Sequence, residues 1–400
     1  MQMRESMIKK EAFELKDKII FWRRQLHQIP ETGLKLPQTQ AYLCRQLKEM
    51  GAGFRVYEGL SAIETIIEGK QAGKTIALRT DMDALPIQEM TGLEFASENG
   101  CMHACGHDTH MAMMLGTVQL LMRHQNEIRG KVKCLFQPGE EGYGGARKMI
   151  EEGALENPYV DAVLGIHVTN SIPELREGQI GLKPGKIMAG SDSFAIQIRG
   201  KGGHISDTVR VVNPIYTAAE TALKIREISE KYQKHSTVVS PGVIKSGTKE
   251  NAVSDTALLQ GSVRTFSKKI REEVLGELER FCREQEKRYG ISMELSVSDC
   301  NACVVNDSQM TDEMRDTAKG LFPDGYTELE SSIMASEDIC YFFQERKGVY
   351  FHLGCGHTGM EKEPPLHSAY FQPNEEILWR GTAVMAQGAL DWLNRHSRED

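Results

Sequence analysis

The stretch from Cys101 to His110 holds the densest set of side chains that could carry out chemistry. Five potential metal ligands fall within ten residues, namely Cys101, His103, Cys105, His107 and His110. Thiolate and imidazole groups are donors that zinc and the late transition metals prefer. In an extended chain His103, Cys105 and His107 would share one face, because side chains alternate along it. The pattern favours a metal site over the alternative, a buried polar loop whose histidines cap backbone groups.

Carboxylates follow stretches that have the composition of strands. The adjacent Glu140 and Glu141 come after the predicted strand Lys131–Phe136. Neighbours on extended backbone point to opposite sides, so one carboxylate can ligate a metal while the other faces a water as general base. Asp81 and Asp83 also follow a predicted strand, and ligands gather beyond the carboxyl ends of strands in open α/β sheets. A turn or helix cap for the aspartates, and a surface acidic pair for the glutamates, remain open alternatives.

Other histidines and cysteines lie apart from this stretch. His167 ends a predicted strand, and His204 lies in the glycine-lined turn GKGGHIS. Three more histidines fall in the loop-rich C-terminal region, namely His352, His357 and His367. Taken singly, each is more often structural than catalytic. Cys300 and Cys303 have the spacing of a redox or zinc half-site, but the sequence has no second pair.

The elements that must position these side chains alternate between helix and strand before residue 184. Apolar spacing predicts helices over about 6–28 and 37–51, and apolar runs predict strands at 62–67, 75–78, 131–136 and 162–166. Gly106 permits a bend, after which Asp108 is predicted to cap a helix to about His124. This alternation predicts an α/β/α domain with a largely parallel core sheet.

The pattern changes near residue 186. Strands and helices then follow in the order βαββαβ up to about residue 297, which predicts a smaller α+β unit. We therefore expect a discontinuous metal-binding catalytic domain, 1–185 and 303–400. An inserted lid or dimerisation domain is expected at 186–302.

Composition narrows the class of protein further. The 400-residue chain carries 48 Lys and Arg against 56 Asp and Glu, a formal net charge of −8. A mildly acidic chain without a basic block argues against nucleic acid as a partner. The longest apolar run falls short of the roughly 18 residues of a membrane span, and the polar start lacks a signal-peptide core. We therefore expect a cytoplasmic protein without a membrane partner, in which the nine cysteines do not form a disulfide scaffold.

Taken together, the motifs resemble those of the aminoacylase and glutamate-carboxypeptidase family of metallopeptidases. The resemblance is closest to the amidohydrolase branch, which includes hippurate hydrolase, N-acetyl-diaminopimelate deacetylase and the plant hydrolases of indole-acetyl amino acids. It extends from His27-x-x-Pro30-Glu31 to His367-Ser368, nearly the whole chain. Its most specific motifs occur in the expected order at Arg79–Pro86, His103–Asp108, Gln137–Gly142, Gly165–His167 and Ser336–Asp338.

The resemblance implies two divalent metal ions per subunit. Their ligands by position would be Cys105, His107, Glu141, His167 and His367. Manganese or zinc is expected first, with nickel or cobalt as alternatives, and the sequence does not show which ligand bridges the ions. Glu140 is implied as the general base, and Asp83, together with Asp81, as a residue that orients a ligand.

In the lid the resemblance implies residues that contact the substrate. His204 would donate a hydrogen bond to the tetrahedral oxyanion, in this family often from the partner subunit of a dimer. Asn251 and Arg264 match positions associated with the substrate's carboxylate end, which a guanidinium can hold with two hydrogen bonds. A homodimer or higher homo-oligomer through the lid is expected on the same basis. The chain departs from the branch after His204, where a Pro-His pair is missing, and at Ala369, where proline is common.

The expected function is hydrolysis of the amide bond of N-acyl amino acids, such as N-acetyl or N-benzoyl derivatives, by metal-activated water. The missing Pro-His pair alters a loop near the mouth of the site, so we expect the acyl preference to differ from that of relatives. A dipeptidase or carboxypeptidase on the same fold is the nearer alternative. A non-catalytic metal or ligand binder and a thiol redox protein using Cys300 and Cys303 are more distant ones.

Overall fold

The computed structural model of the chain describes residues 7–360 and 362–397, without the side chains of residues 299 and 300. The helices are α1 (Met7–Glu14), α2 (Lys16–His27), α3 (Pro37–Glu49), α4 (His107–Arg123), α5 (Gly145–Glu151), α6 (Pro214–Tyr232), α7 (Lys268–Tyr289), α8 (Ser308–Leu321), α9 (Cys340–Glu345) and α10 (Leu378–His396). The strands are β1 (Phe54–Val56), β2 (Ile63–Glu68), β3 (Gln71–Asp81), β4 (Arg129–Gln137), β5 (Ala162–Thr169), β6 (Ile180–Leu182), β7 (Gly185–Met188), β8 (Gly190–Arg199), β9 (Gly203–His204), β10 (Thr237–Ser246), β11 (Ala252–Val253), β12 (Thr256–Thr265), β13 (Ser292–Asn301), β14 (Val304–Asn306), β15 (Tyr326–Glu328) and β16 (Lys347–Gly354).

The chain divides into two compact units. The large unit contains the described residues of Met1–Ile187, Val304–Ser332 and Asp338–Asp400. The small unit contains Met188–Cys303 and Ile333–Glu337.

The large unit is built on a sheet of order β1-β2-β4-β3-β5-β16-β6-β15. Its central strands β4, β3, β5 and β16 are parallel, whereas β2 runs antiparallel to β4. Every residue of β5 is buried, as expected for a parallel strand covered on both faces. Because β3, β4 and β5 are parallel neighbours, their carboxyl ends meet at one edge of the sheet.

Helices α4 and α10 pack against β3 and β5 and share one hydrophobic core with the sheet. The two helices approach closely at glycines. A Cβ added to Gly116 would lie 2.9 Å from Thr382 Oγ1, and one added to Gly381 would lie 2.1 Å from Met113 Sδ. Thr382 Oγ1 also donates a hydrogen bond to Met113 O at 3.1 Å. These contacts fix α4, whose first residue is His107, against the rest of the core.

The structure differs from the sequence prediction at two element boundaries. The single helix predicted over 6–28 is interrupted at Leu15. The Leu15 N–H donates to both Glu11 O and Ala12 O, which tightens the turn at this point. Strand β5 continues to Thr169, so His167 lies inside the strand and not beyond its end.

The small unit is an antiparallel sheet of order β10-β12-β8-β13 with α6 and α7 packed on it around a separate core. In chain order its main elements are β8, α6, β10, β12, α7 and β13, the predicted βαββαβ order. The predicted fold class, α/β with an inserted α+β unit, is confirmed. Ile333–Glu337 also belongs to this unit although it lies outside 186–302, and Ala189 N–H donates to Ile333 O and Ala335 O at 3.1 and 3.0 Å.

Among the described residues, none of the helices combines the length and the apolar character that crossing a membrane requires.

Candidate active site

Polar side chains collect at the edge of the large sheet where β3, β4 and β5 end. Asp81 is the last residue of β3 and Asp83 follows it, Glu140 and Glu141 follow β4, and His167 lies near the end of β5. Cys105 lies in the turn before α4, and His107 is the first residue of that helix. The topology, more than any single loop, therefore assembles this group.

The Cys105 sulfur lies between imidazoles from distant parts of the chain. Its Sγ is 3.5 Å from His167 Nε2 and 3.3 Å from His367 Nε2, and the latter nitrogen is 3.3 Å from Glu141 Oε1. The potential ligand atoms of Cys105, His107 and His167 all lie within 4.8 Å of one another, as do those of Cys105, Glu141 and His367. The structure thus brings together the five residues that the sequence predicted as ligands. Their role in holding metal stays a prediction.

Backbone carbonyls orient two of these imidazoles. His107 Nδ1 donates to Asp83 O at 2.8 Å, and His167 Nδ1 donates to Val168 O at 2.5 Å. Each ring therefore turns its Nε2 toward Cys105. His107 Nε2 is buried and has no hydrogen-bond partner among the described residues, a deficit that a metal ion would remove. The sulfur, nitrogen and oxygen donors present fit zinc or another divalent transition metal.

The charges of the group also suit a cation. Burial and the Glu141 carboxylate raise the pKa of the Cys105 thiol, so its thiolate form needs a positive charge beside it. Hydrogen bonds to Cys105 and Glu141 raise the pKa of His367 to about 10. Burial holds the pKa of His167 well below its usual value, so His167 is neutral. Protons or metal ions are thus needed to balance the negative donors.

Asp83 holds the loop that carries the two glutamates. Its Oδ1 accepts from Glu140 N at 2.9 Å, and its Oδ2 accepts from Glu141 N at 3.1 Å. Both hydrogen bonds are buried or nearly so, and the Asp83 carbonyl also accepts from His107. Carboxylate atoms of Glu140 and Glu141 lie within 4.8 Å of each other and of His107. Asp83 therefore fixes Glu140, Glu141 and His107 relative to one another.

His367 has an uncommon backbone conformation. Its φ is 65°, in the left-handed region that few residues other than glycine adopt. Its N–H donates to Ala104 O at 2.8 Å, which ties His367 to the residue before Cys105. Non-glycine residues held in this region cost about 1–3 kcal/mol and cluster at functional sites.

One prediction for the stretch 101–110 is wrong. His103 does not share a face with Cys105 and His107, because residues 103–106 form a turn that Gly106 N–H closes on His103 O at 3.2 Å. The side-chain alternation of extended backbone therefore fails at this point. The His103 ring is buried with its centroid 6.5 Å from that of His27, and burial lowers its pKa to about 3.

The prediction that Asp108 caps α4 is also wrong. Gly106, with φ 85°, occupies the cap position, because the chain must turn sharply before His107. The Asp108 carboxylate lies in the first turn and is buried. Its Oδ2 is 2.8 Å from Arg23 Nε and 2.8 Å from His27 Nδ1. It therefore joins α4 to α2.

Sequence reasoning missed a second buried network around Arg79. The guanidinium pairs with Asp81 Oδ2 at 2.9 Å and with Asp338 Oδ1 at 2.7 Å, and it donates to Gln137 Oε1 at 2.8 Å. Gln137 Nε2 donates in turn to Asp338. The sequence does show charged residues at strand ends and in the Ser336–Asp338 motif. It does not show that Arg79 and Asp338 contact each other, because they are far apart along the chain.

The predicted substrate residues lie in the small unit. His204 and Asn251 are neighbours, because β9 pairs with β11 and Ile205 N–H donates to Asn251 O at 3.2 Å. His204 is exposed and its Nδ1 is 2.7 Å from Ser206 Oγ. Arg264 extends from β12, where its Nη1 donates to Ser336 Oγ at 3.2 Å and Met334 O at 3.4 Å.

Of the pair Cys300 and Cys303, the structure describes the side chain of Cys303 alone. The Cys300 side chain is among those that the structure leaves undescribed, and Cys303 Sγ donates to Thr265 O at 3.4 Å. The redox alternative for this pair stays a prediction.

Comparisons with known proteins agree over nearly the whole chain. Residues 77–391 match the model of peptidase family M20/M25/M40. Thermostable carboxypeptidase 1 of Saccharolobus solfataricus is 36% identical over 398 residues, covering 97% of this chain and 98% of that protein. N-acetyldiaminopimelate deacetylase of Listeria innocua is 34% identical over 360 residues, covering 89% of this chain and 94% of that protein.

A solved structure extends the likeness to the fold. A dinuclear metal-binding peptidase of the M20 family from Bacillus subtilis superposes with a TM-score of 0.79 at 32% identity. The alignment covers 96% of this chain and 99% of that chain.

Proposed function

We propose, from the premise that the chain belongs to peptidase family M20/M25/M40, that it is a metal-dependent amidohydrolase of N-acyl amino acids. The observation that carries this proposal is the position of Glu140. Its carboxylate lies within 4.8 Å of the ligand atoms of His107 and Glu141, and each of these two residues also belongs to a candidate metal-binding set that contains Cys105. A base next to a mixed sulfur, nitrogen and oxygen donor set is what hydrolysis by activated water requires.

The donor groups support two metal positions. Cys105, His107 and His167 would hold one divalent ion, and Cys105, Glu141 and His367 the other, because each set of ligand atoms lies within 4.8 Å. Cys105 belongs to both sets. When bound, such ions polarise an amide carbonyl and lower the pKa of a water molecule. Manganese or zinc is the first choice for these donors, with nickel or cobalt as alternatives.

The protein's own part in the reaction is proton transfer and positioning. Glu140 takes the proton of the attacking water at its carboxylate and delivers it to the leaving nitrogen. Asp83 keeps that carboxylate in place through the Glu140 and Glu141 amides. Glu140 is only 8% exposed, so little bulk water competes for its oxygens.

The substrate contacts are assigned to the small unit. His204 would donate a hydrogen bond to the tetrahedral oxyanion. Asn251 directly precedes β11, the strand that pairs with His204. Arg264 would bind the carboxylate of the amino-acid part of the substrate, because a guanidinium offers paired donors for it. We expect Arg264→Ala to raise KM for N-acyl amino acids more than it lowers kcat.

A substrate panel tests the function. The chain would be stripped with a chelator, reloaded separately with manganese, zinc, nickel or cobalt, and assayed for release of free amino acid from N-acetyl, N-benzoyl and longer-acyl amino acids. We expect chelator-sensitive release from these substrates with at least one metal. Failure of every metal form to cleave any N-acyl amino acid would contradict the proposal.

A carboxypeptidase is the second candidate, because the Saccharolobus solfataricus relative of that name is 36% identical to this chain. It predicts cleavage of unblocked dipeptides or of the last residue of longer peptides. The same metal forms, assayed side by side on blocked and unblocked substrates, separate the two by their kcat/KM ratios. Binding of metal without turnover of either class would favour a non-catalytic role.

A further inference from the structure

His110 is a buried histidine that neither the ligand assignment nor the proposed proton transfer uses. It is 1% exposed and lies one helical turn after His107 on α4. Its ring centroid is 4.6 Å from that of His167 and 5.5 Å from that of His107. A polar ring this deeply buried needs partners for both nitrogens.

Those partners determine which nitrogen of His110 carries the proton. Nδ1 is 2.6 Å from Asp81 Oδ1, while the other oxygen of Asp81 pairs with Arg79 at 2.9 Å. The same guanidinium pairs with Asp338 Oδ1 at 2.7 Å, so Asp81 is part of a buried ion-pair network in which its side chain is a carboxylate. The carboxylate is therefore an acceptor, and Nδ1 must donate.

The second nitrogen is an acceptor. Val168 N–H donates to His110 Nε2 at 2.9 Å, so Nε2 carries no proton and the ring is the neutral Nδ1–H form. Since both nitrogens are engaged, His110 is not available as a ligand. A nitrogen of His110 does lie within 4.8 Å of potential ligand atoms of Asp81 and His107, but both of its nitrogens already have hydrogen-bond partners.

Val168 N–H donates to His110 at a point where β5 has no partner on the β3 side. Pairing between β3 and β5 runs from Ile76–Ala162 to Arg79–Gly165, and Val168 lies three residues past the last pair. His110 Nε2 is therefore the acceptor for Val168 N–H where β3 no longer pairs with β5. Val168 O, in turn, accepts from His167 Nδ1 at 2.5 Å, which leaves His167 Nε2 directed at Cys105 Sγ.

We propose that His110 is a positioning residue that acts through Val168 on His167. Asp81 fixes the His110 ring, His110 fixes the end of β5 through Val168 N–H, and Val168 O fixes the His167 ring. The proposal rests on the proposed function in one respect, that His167 is a metal ligand. Groups that orient a metal-binding histidine typically change metal affinity or activity 10–100-fold when removed.

Three substitutions separate positioning from simple packing. His110→Gln places an amide oxygen near the position of Nε2 and keeps the acceptor for Val168 N–H. His110→Asn places an amide nitrogen near the position of Nδ1 and keeps only the donor to Asp81. His110→Ala removes both, and all three variants alter the volume of the ring.

Metal affinity gives the first readout. We expect competition with a chromophoric chelator to show that His110→Asn and His110→Ala bind one of two zinc ions roughly 10–100-fold more weakly than the original chain. His110→Gln should stay within about threefold, with a thermal midpoint similar to that of His110→Asn. Equal losses in the Gln and Asn variants, or no loss in any variant, would overturn the proposal.

The metal-free chain gives a second readout that does not depend on activity. Nitrogen-15 NMR should find His110 as the Nδ1–H tautomer, and hydrogen exchange at the Val168 amide should accelerate in His110→Asn but not in His110→Gln. An Nε2–H tautomer would overturn the proposal. If the original chain bound ions but hydrolysed no substrate, the proposed function would be contradicted. The relative zinc affinities of the three variants would still decide the role of His110. An original chain that binds no ion would overturn both.

Discussion

Asp83 serves the site through three atoms at once. Its two carboxylate oxygens accept from Glu140 N and Glu141 N, and its carbonyl accepts from His107 Nδ1. Replacement by asparagine would turn an NH₂ group toward one of two backbone N–H donors and leave that buried donor without an acceptor.

We therefore expect Asp83→Asn to lower kcat on the best N-acyl substrate at least tenfold and to destabilise the large unit by about 1–3 kcal/mol. Steady-state kinetics and denaturant unfolding measure the two effects. The exposed Asp324→Asn is the matched control and should change neither. An Asp83→Asn enzyme with unaltered kcat would show that the loop needs no such support.

The ionisation of Glu89 makes the stability of the fold depend on pH. Burial opposes its ionisation, yet hydrogen bonds from His27 and Thr91 lower its pKa to about 2, below the usual 4.5. Since the pKa is lower in the folded state, the ionised group stabilises the fold above about pH 5. This contribution disappears as pH falls toward 2.

Glu89→Gln should therefore cost about 2–3 kcal/mol at pH 7, and the difference from the original chain should shrink between pH 5 and pH 2. Urea unfolding at several pH values measures it, with the exposed Glu98→Gln as control. A difference that does not vary with pH would mean that the carboxylate charge is not what stabilises this position.

At this scale the sequence predicted the ligand residues better than their surroundings. The five ligand candidates were identified because their types and order match a family, and the structure brings them together. His103 could not be separated from Cys105 and His107, because only the turn at 103–106 shows that alternation fails there. The partners of Asp81 and His110 were out of reach for a different reason. His110 contacts Asp81 and Val168, which are 29 and 58 residues away in sequence, and spacing along the chain does not reveal such contacts.

At the scale of elements, the loop between β4 and α5 is held by a backbone contact that permits no side chain. A Cβ added to Gly145 would lie 1.7 Å from Pro138 O, and Gly145 N–H donates to Gly139 O at 3.1 Å. This close approach lies at the start of α5, directly after the segment that carries Glu140 and Glu141.

Gly145→Ala should displace that segment, because the added carbon meets backbone and not a flexible side chain. We expect a destabilisation of about 1–3 kcal/mol together with weaker metal binding, measured by unfolding and by chelator competition. In α8, Gly320 has open space around its Cβ position, so Gly320→Ala should be neutral or slightly stabilising. Unaltered metal affinity in Gly145→Ala would contradict the link between this contact and the site.

Apolar runs predicted the strands β2, β3, β4 and β5 to within about four residues at each end, because these strands are continuously apolar at their centres. Hydrophobic periodicity missed the interruption at Leu15, where apolar spacing continues through the break. It also placed the start of α4 at Asp108, because an aspartate is a better cap than glycine by propensity. The left-handed Gly106 and the buried contacts of Asp108 decide otherwise.

At the scale of the whole molecule, the family resemblance read from the motifs is confirmed by the match over residues 77–391. The predicted lid role of the small unit, the homodimer and the cytoplasmic location stay predictions. Sedimentation of the metal-loaded chain at several concentrations would test the dimer. A single monomeric species throughout would contradict it.

Metal binding should stabilise the large unit as a whole, because its ligands come from segments between Cys105 and His367. A ligand present at 100 times its dissociation constant contributes about 2.7 kcal/mol to a fold that alone can bind it. We therefore expect chelation to lower the thermal midpoint by several degrees and readdition of manganese or zinc to restore it. Calorimetry measures the shift, and an equal midpoint with and without chelator would contradict the metal assignment.

The most direct test of the account combines metal content and turnover in the original chain and Glu140→Gln. Elemental analysis should find two divalent ions per chain in both proteins. The original chain should hydrolyse an N-acyl amino acid, and the variant should do so about 10²–10⁴-fold more slowly. Full activity in Glu140→Gln, or undiminished turnover after the ions are removed, would contradict the claim that Glu140 and bound metal together carry out amide hydrolysis.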